Sequence, residues 1–231
     1  MTRFSPLKPW LDRRETLRAF ANIDTTAPDQ ESGGFLVLDV CVPFHEIDML
    51  TPENLETSWN KTATYVSKSL SLISEESPGW LDRDDVEMIL TDLGEPPSCC
   101  YSIYVVTVGT GDEERVVYVG KTSAKTARFG SGHQVATRLH APQYDGLSKH
   151  LYQGCVTLLD EQDYLPLEWV HPITSAELIL RSVEAQMIYE LQPELNMHHR
   201  KKYNATFPIM LHIQNFSGIS SFLHDHFLYP R

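Results

Sequence analysis

The fold of this chain is decided by two short runs, YSIYVVTV at residues 101–108 and RVVYVG at residues 115–120. Both runs are rich in β-branched and aromatic residues, which favour β-strands. The link between them, GTGDEE, is polar and contains two glycines. Two such runs joined by a short glycine-containing link predict a β-hairpin. Because each strand carries a tyrosine, the hairpin is expected to bring Tyr104 and Tyr118 together.

Charge is distributed unevenly along the chain. The 231 residues include 19 Lys and Arg against 31 Asp and Glu, which gives a formal net charge of −12. Residues 1–100 hold 8 basic and 18 acidic residues, whereas residues 115–150 hold 6 basic residues and 1 acidic residue. The overall balance argues against a general nucleic-acid coat protein. The surroundings of the hairpin are nevertheless locally basic.

Cysteine usage and hydropathy predict a cytoplasmic protein with no membrane partner. Four cysteines in a chain of this length do not suggest a disulfide scaffold. Cys99 and Cys100 are adjacent and form no CxxC motif, so we expect no zinc site. The N-terminus lacks an apolar signal core, and no run approaches the ~18 apolar residues that span a bilayer.

The residues before the hairpin predict helices and one strand. A helical pattern covers residues 10–23, and the apolar run FLVLDVCV at residues 35–42 predicts a buried strand. Thr51 and Pro52 are typical of a helix start, and the helix is expected to reach Ile73. A further helix is predicted over residues 80–93. No motif in this part indicates chemistry, so we expect a role in packing, dimerisation or DNA recognition.

The residues after the hairpin predict a second set of elements. They are a short helix over residues 133–140, a further helical turn within 147–153, a strand over 155–159, an extended segment over 165–172, a long helix over 174–191 and a last strand over 207–213.

Three motifs occur in order within residues 101–200. The first is Ser102-Ile103-Tyr104, and the second is Tyr118-Val119-Gly120 followed by Lys121-Thr122. The third is a helix that carries Glu184 and ends in the Pro-x-x-Asn sequence of Pro193 to Asn196. This set resembles the GIY-YIG nuclease superfamily, with a serine in place of the first glycine. The long spacing in the middle is similar to that of its type II restriction endonuclease members.

The resemblance implies an α/β (α+β) fold. Its core is expected to be a small, mainly antiparallel three-stranded sheet flanked by helices, with an N-terminal α/β extension. The expected boundaries are residues 1–97 for the N-terminal extension, 98–200 for the nuclease core and 201–231 for a C-terminal extension.

The resemblance also implies metal-dependent hydrolysis of phosphodiester bonds. Mg²⁺ prefers oxygen ligands and keeps several waters, so a single carboxylate, Glu184, is expected to hold Mg²⁺ or Mn²⁺. Tyr118 or Tyr104 would act as the general base or would position the attacking water. Such a phenol, with an ordinary pKa of about 10, needs nearby cations to act near neutral pH.

Lys121 and one arginine are expected to bind the scissile phosphate. Arg128 and Arg138 both fit the family pattern, and we favour Arg138 because it lies in a helical pattern. His140 would replace or assist a tyrosine in activating water, and its alternative is a helix-terminal histidine bonded to the backbone.

The remaining candidate residues concern positioning and DNA contact. Asn196 is expected to hold a tyrosine, the backbone or a substrate oxygen, and its alternative is an asparagine of a turn. Basic residues are expected to contact DNA phosphates. They are Lys125, Arg128, Lys149, Arg200, Lys201 and Lys202.

The resemblance therefore implies a metal-dependent DNA endonuclease, of the site-specific type II restriction class, that cuts double-stranded DNA. A two-fold symmetric target favours a homodimer or a higher homo-oligomer. The alternatives are a structure-specific nuclease of repair, recombination or phage defence, and a non-catalytic DNA-binding protein on the same scaffold.

Overall fold

The computed structural model describes residues 4–25, 33–50, 53–73, 79–122, 134–160 and 163–231. The α-helices of this part are α1 (Lys8–Leu11), α2 (Leu55–Ile73), α3 (Arg83–Leu93), α4 (Gln134–Arg138) and α5 (Ile173–Leu191). The strands are β1 (Ala21–Asn22), β2 (Gly33–Pro43), β3 (Ile103–Val108), β4 (Arg115–Lys121), β5 (Lys149–Asp160), β6 (Asp163–Pro166), β7 (Val170–His171), β8 (Met210–Asn215) and β9 (His226–Leu228). Short 3-10 helices occur at Phe44–Met49, Gly111–Glu113, Pro142–Tyr144 and Leu167–Trp169.

A mixed sheet of seven described strands organises the fold. The strand order is β4-β3-β5-β2-β8-β9, and β6 pairs with the end of β5. β2 and β8 are parallel, and the other neighbours are antiparallel. β1 and β7 form a separate parallel pair. The predicted mixed α/β class is confirmed.

The hairpin is confirmed as the pair β3 and β4. Every residue of β3 is buried. The connection between the strands uses Gly109 and Gly111 with φ of 90° and 59°, a backbone region in which glycine avoids the steric penalty of a Cβ. The strands pair in antiparallel register, with Tyr104 opposite Gly120.

The two faces of the sheet pack against different layers. On one face, α5 contributes Ile179, Val183 and Met187 to a core that includes Ile103 and Val105. On the other face, a smaller core contains Tyr104 and Leu151 together with Leu139, which follows α4. Because side chains alternate along a strand, β3 serves both cores and is shielded from water on each side.

Several other predicted elements are confirmed with small shifts in their bounds. The strand predicted at residues 35–42 is β2, and the helices predicted to reach residues 73, 93 and 191 are α2, α3 and α5. α3 begins with a capping box in which Asp82 and Asp85 bond each other's backbone amides. The short helix predicted at 133–140 is α4, and its first predicted residue lies outside the described residues.

The helix predicted over residues 10–23 is wrong. α1 ends at Leu11, where the amide of Asp12 donates to the carbonyl of Lys8 at 2.8 Å. Arg13 then adopts a φ of 60°, and such a left-handed residue ends a helix. The later part of the segment forms β1 instead.

The helical turn predicted within residues 147–153 is also wrong, because β5 already begins at Lys149. β5 lies between β3 and β2. Leu151 and Tyr152 are therefore both buried, one in each core. A strand buried on both faces lacks alternation, and periodicity alone cannot separate it from a helix. The strand predicted at 155–159 is the second half of the same strand.

The C-terminal region differs from prediction in detail. The strand predicted at residues 207–213 is β8, which begins three residues later than expected. No strand was predicted at the position of β9. The segment predicted as extended at 165–172 contains the end of β6, a 3-10 helix and β7. None of the described helices is long and apolar enough to cross a lipid bilayer.

The sheet is wider than the three strands that we expected. β4, β3 and β5 are antiparallel neighbours, but β2 joins them from the N-terminal region and β8 from the C-terminal region. Strands on both sides of the expected domain boundaries, at residues 97 and 200, thus belong to one sheet.

Gly154 provides a test of this wide sheet. A Cβ at Gly154 would come within 3.0 Å of the carbonyl carbon of Val37 on β2 and closer still to its oxygen. We expect Gly154→Ala to lower the free energy of unfolding by about 1–3 kcal/mol, the usual cost of overpacking. Gly33→Ala is the matched control, because its Cβ would meet Leu159 at an ordinary 3.8 Å. Equal urea midpoints for the two variants would contradict this packing.

Candidate functional site

The two tyrosines of the hairpin lie side by side on one face of the sheet. The ring centroids of Tyr104 and Tyr118 are 5.9 Å apart, with an interplanar angle of 28°. Tyr104 is only 1% exposed, whereas Tyr118 is partly exposed. Tyr118 is therefore the tyrosine better placed to meet a substrate.

Gly120 is required by this pair of rings. A Cβ on Gly120 would lie 2.6 Å from Cζ and Oη of Tyr104 and 2.8 Å from Cε1 of Tyr118. Such distances are far inside van der Waals contact, so any other residue would displace both phenols. Steric exclusion by the two tyrosine rings thus explains why the second triplet ends in glycine.

Lys121 and Glu184 form a second group on the opposite face of β4. Alternation sends Tyr118 and Lys121 to different faces, and Lys121 pairs in register with Ile103 of the larger core. The ammonium of Lys121 lies 3.9 Å from Oε2 of Glu184 on α5. The side chains are 28% and 21% exposed, so both reach solvent at the end of the strand.

Asn196 binds the segment after α5 to the edge of β4. We call residues 193–197 the edge segment. Its side-chain oxygen accepts from the amide of Val119 at 2.9 Å, and its side-chain amide donates to the carbonyl of Val119 at 2.8 Å. The amide of Leu195 donates to the carbonyl of Val117 at 2.9 Å. Of the partners predicted for Asn196, the structure shows the backbone.

Arg138 joins the tyrosine face to this edge segment. Its guanidinium donates to the carbonyl of Leu195 at 3.1 Å and contacts the sulfur of Met197 at 3.3 Å. Leu139, the next residue, packs in the same core as the tyrosines. The competing Arg128 lies outside the described residues. Of the two candidates, Arg138 is the one that the structure places beside Asn196.

His199 was not among the predicted catalytic residues, yet it lies close enough to Lys121 for their charges to interact. Burial lowers the pKa of His199, and the charges of His198 and Lys121 lower it further. Its Nδ1 is 3.1 Å from the side-chain amide of Asn204. The sequence signal was available, because His199 follows the Pro-x-x-Asn motif by three residues.

Glu194, within the same motif, is an anchor that the sequence reasoning also missed. Its carboxylate accepts from Arg115 and from the hydroxyl of Tyr144, the latter at 2.9 Å. Burial raises the pKa of Glu194, but the hydrogen bonds from Arg115 and Tyr144 and the charges of Arg115 and Arg200 outweigh it. The net pKa is therefore lowered.

His140 lies on the wall of a cavity whose lining includes Lys149 but neither Tyr104 nor Tyr118. The ammonium of Lys149 donates to the carbonyls of Tyr144 and Leu147 at 2.8 and 3.2 Å, which fixes its position.

The other residues predicted to bind DNA have mixed placements. Lys201 and Lys202 are exposed after the edge segment. Arg200 donates to the carbonyl of Glu194 at 3.3 Å. Lys125 lies outside the described residues.

Glu184 is the residue at this site that could hold a divalent metal. Mg²⁺ is commonly bound by one or two carboxylates while it keeps several waters. A partly exposed carboxylate at the strand end fits that donor set. Within the described ranges, no group of three or more His, Cys, Asp or Glu side chains is arranged to hold a metal.

Asn196 is the residue on which the edge contact depends. Asn196→Ala leaves the amide and carbonyl of Val119 without these partners, and each unmade buried hydrogen bond costs about 1–3 kcal/mol. We expect unfolding free energy to fall by about 2 kcal/mol or more, measured by urea denaturation. Asn60→Ala, at an exposed position of α2, should change it by less than about 0.5 kcal/mol. A similar small change for Asn196→Ala would contradict the structural role.

The site can also be set against known proteins. Comparison of the chain with models of protein families, with curated proteins and with solved structures finds no match.

Proposed function

We propose that this protein is a metal-dependent DNA endonuclease of the GIY-YIG type, and that it is a site-specific type II restriction enzyme. One observation carries the proposal. Two stacked tyrosines, the Lys121–Glu184 pair and the asparagine of the Pro-x-x-Asn motif all converge on four consecutive residues of β4, 118–121. The sequence motifs contain all of these residues.

The arrangement of elements supports the finer fold proposal. β4, β3 and β5 are consecutive antiparallel strands. α4 follows the second triplet, and α5 carries Glu184 and leads into Asn196. We propose that these five elements are the nuclease core, extended by β2 on the N-terminal side and by β8 and β9 on the C-terminal side.

Hydrolysis of a phosphodiester requires a water that loses a proton as it attacks phosphorus. Tyr118 is partly exposed and is proposed to orient this water or to accept its proton. A phenol with an ordinary pKa of about 10 does so near neutral pH when cations stabilise the phenolate. Tyr104, buried beneath it, is proposed as a positioning residue.

Charge builds up on the phosphate oxygens as the bond to water forms. Lys121 and Arg138 are proposed to bind these oxygens, because preorganised cations stabilise a transition state without further reorganisation. The planar guanidinium suits a phosphate especially well. Arg138 is exposed and is held by the edge segment.

Glu184 is proposed to hold the divalent ion, Mg²⁺ or Mn²⁺. Such an ion, when bound, polarises the phosphate and stabilises the leaving 3′-oxygen. Lys121 is proposed to have a second role, because its ammonium lies 3.9 Å from the carboxylate of Glu184 and balances the negative charge there.

Double-stranded DNA is the proposed substrate, and a homodimer is the proposed assembly. Each chain carries one set of the residues named above, so cutting both strands of a duplex calls for two copies. The net charge of −12 opposes non-specific binding to DNA. It favours an enzyme that engages DNA through a restricted basic surface.

Glu184→Gln tests the proposed metal ligand. Loss of a residue that merely orients a ligand already costs 10–100-fold, so we expect Mg²⁺-dependent cleavage of a long unmethylated duplex to fall by about 100-fold or more. Duplex binding without metal should be retained. Glu177→Gln on the same helix is the matched control, because Glu177 is partly exposed and pairs with Arg181. Unchanged cutting by Glu184→Gln would remove it from the chemistry.

In the same assay, the wild-type product pattern tests the subclass. Discrete fragments indicate site-specific restriction, and a smear indicates low specificity. Preferred cutting of branched DNA would favour a structure-specific nuclease. Absence of cutting with retained binding would favour the non-catalytic alternative.

Tyr118→Phe tests the proposed role in activating water. The variant keeps the stacked ring and loses only the hydroxyl, so its fold and DNA affinity should be preserved. We expect the single-turnover cleavage rate to fall by about 10²–10⁴-fold, as for loss of a general base. Tyr164→Phe, at an exposed position of β6, is the control and should cut normally. A normal rate for Tyr118→Phe would exclude its hydroxyl from the reaction.

A further inference from the structure

The half of the sheet that lies farthest from β4 turns apolar side chains towards solvent. β2, β8 and β9 send Leu36, Leu211 and Leu228 into the core beside α5. Because side chains alternate along a strand, the neighbours of these leucines project from the opposite side of the sheet. We call this surface the outer face. Its members on β5, β2, β8 and β9, and just after β9, are Leu159, Phe35, Met210, His212, Phe227 and Tyr229.

The aromatic rings of the outer face form a continuous row across three strands. The ring centroid of Phe35 lies 5.3 Å from that of His212. His212 in turn stacks on Phe227 at 4.0 Å, with an interplanar angle of 12°. Phe227 lies 6.4 Å from Tyr229. The row is therefore a preformed surface and not a set of separate side chains.

Aliphatic side chains extend this row. A Cβ on Gly33 would lie 3.8 Å from Leu159 and 4.0 Å from the end of Met210, so these two side chains flank the start of β2. Leu159 is 44% exposed and Met210 is 39% exposed. Single exposed apolar residues are ordinary on protein surfaces, but a contiguous apolar patch marks an interaction site.

The charges around the outer face indicate which partner it fits. β2, β8 and β9 contain no Lys or Arg, so these strands offer no cation to the phosphates on which binding of DNA depends. The two nearby carboxylates are bonded within the chain. Asp39 accepts from the hydroxyl of Tyr101 at 2.6 Å, and Oδ1 of Asp225 lies 2.7 Å from Nε2 of His212.

A second copy of the chain fits such a surface. With a net charge of −12, two copies repel each other over most of their surfaces. They meet most readily where each presents an apolar patch whose charges are already bonded. The cores of protein–protein interfaces are likewise depleted in charged residues and enriched in aromatic residues and methionine.

The outer face also leaves the proposed nuclease site accessible. Leu151 packs in the same core as Tyr104, and alternation along β5 places Leu159 on that side of the sheet as well. The strand order separates β4 from β9 by five inter-strand spacings, which amounts to roughly 24 Å. A partner on the outer face therefore leaves the end of β4 open to DNA.

We propose that the outer face is the interface between two copies of this chain, which pack on each other about a two-fold axis. The proposal rests on the proposed homodimer and assigns its contact surface. In such an isologous interface, both subunits use the same patch. The stacked rings are already ordered in one chain, so association loses little side-chain entropy.

Sedimentation velocity of the full-length protein without DNA tests this interface. The wild type is expected to form a species of twice the chain mass of 26.3 kDa. Met210→Glu/Tyr229→Glu introduces two carboxylates per copy at positions that are 39% and 62% exposed, so a single chain should fold normally. Because like charges then face each other across the interface, the Kd of the dimer should rise by about 100-fold or more.

Met88→Glu/Trp80→Glu is the matched control. These residues lie on α3 and just before it, and they are 41% and 65% exposed. The control adds the same charge to an apolar surface outside the outer face, so its dimer should dissociate with the Kd of the wild type.

A charge-reversed variant separates a lost interface from a damaged fold. Met210→Lys/Tyr229→Lys alone should also be a single chain. Mixed with Met210→Glu/Tyr229→Glu, it should form a dimer, because opposite charges then face each other across the two-fold axis. Circular dichroism and urea denaturation check the fold of each variant. If the two variants remain single chains when mixed, these residues do not face each other and the proposal is overturned.

The remaining outcomes separate the interface from the nuclease. The proposal is overturned if the wild type sediments as a single chain at all micromolar concentrations, or if the glutamate variant keeps the Kd of the wild-type dimer. It is also overturned if that variant loses affinity for duplex DNA while it remains a dimer, because the outer face would then bind DNA. A single chain that cuts DNA excludes the interface and keeps the nuclease. A dimer that dissociates as described and does not cut DNA keeps the interface and excludes the nuclease.

Discussion

The pairing of the Asn196 side chain with the backbone of Val119 is the contact on which the candidate site depends. β4 is the last strand on its side of the sheet, and an uncovered edge strand is prone to pair with other chains. Asn196 covers this edge by imitating a neighbouring strand, with one donor and one acceptor. The same contact fixes the segment that Arg138 bonds and that leads to His199. The contact that covers the edge of β4 therefore also positions residues of the candidate site.

Prediction from sequence succeeded where the signal is local. The hairpin follows from two β-branched runs with glycines between them, and α5 follows from a long apolar periodicity that ends before Pro193. Prediction failed where pairing between segments distant in sequence decides the secondary structure. Lys149 to Gln153 form a strand because β3 and β2 lie on either side, and no property of these residues alone excludes a helix. The parallel pairing of β2 with β8 joins segments from opposite ends of the chain, which no local pattern reveals.

The candidate site shows the same division. The motifs named both tyrosines, Lys121, Glu184 and Asn196, and the structure gathers them around β4. The position of His140 could not be predicted, because it depends on where the chain turns after α4. The closeness of His199 to Lys121 also depends on a turn, in which His199 adopts a φ of 66°. The motifs named residues on strands and on the long helix, and Asn196 in the connection after it, whereas no motif indicated where His140 and His199 would lie.

Strand geometry constrains how a substrate reaches the site. Tyr118 and Lys121 project from opposite faces of β4, so no ligand lying flat on either face contacts both. A single phosphate meets both side chains only beyond the end of the strand, where Lys121 is the last paired residue. Arg138 bonds the carbonyl of Leu195 in the edge segment, and His199 follows the same segment along the chain. The proposed hydrolysis therefore requires DNA to meet the sheet end-on.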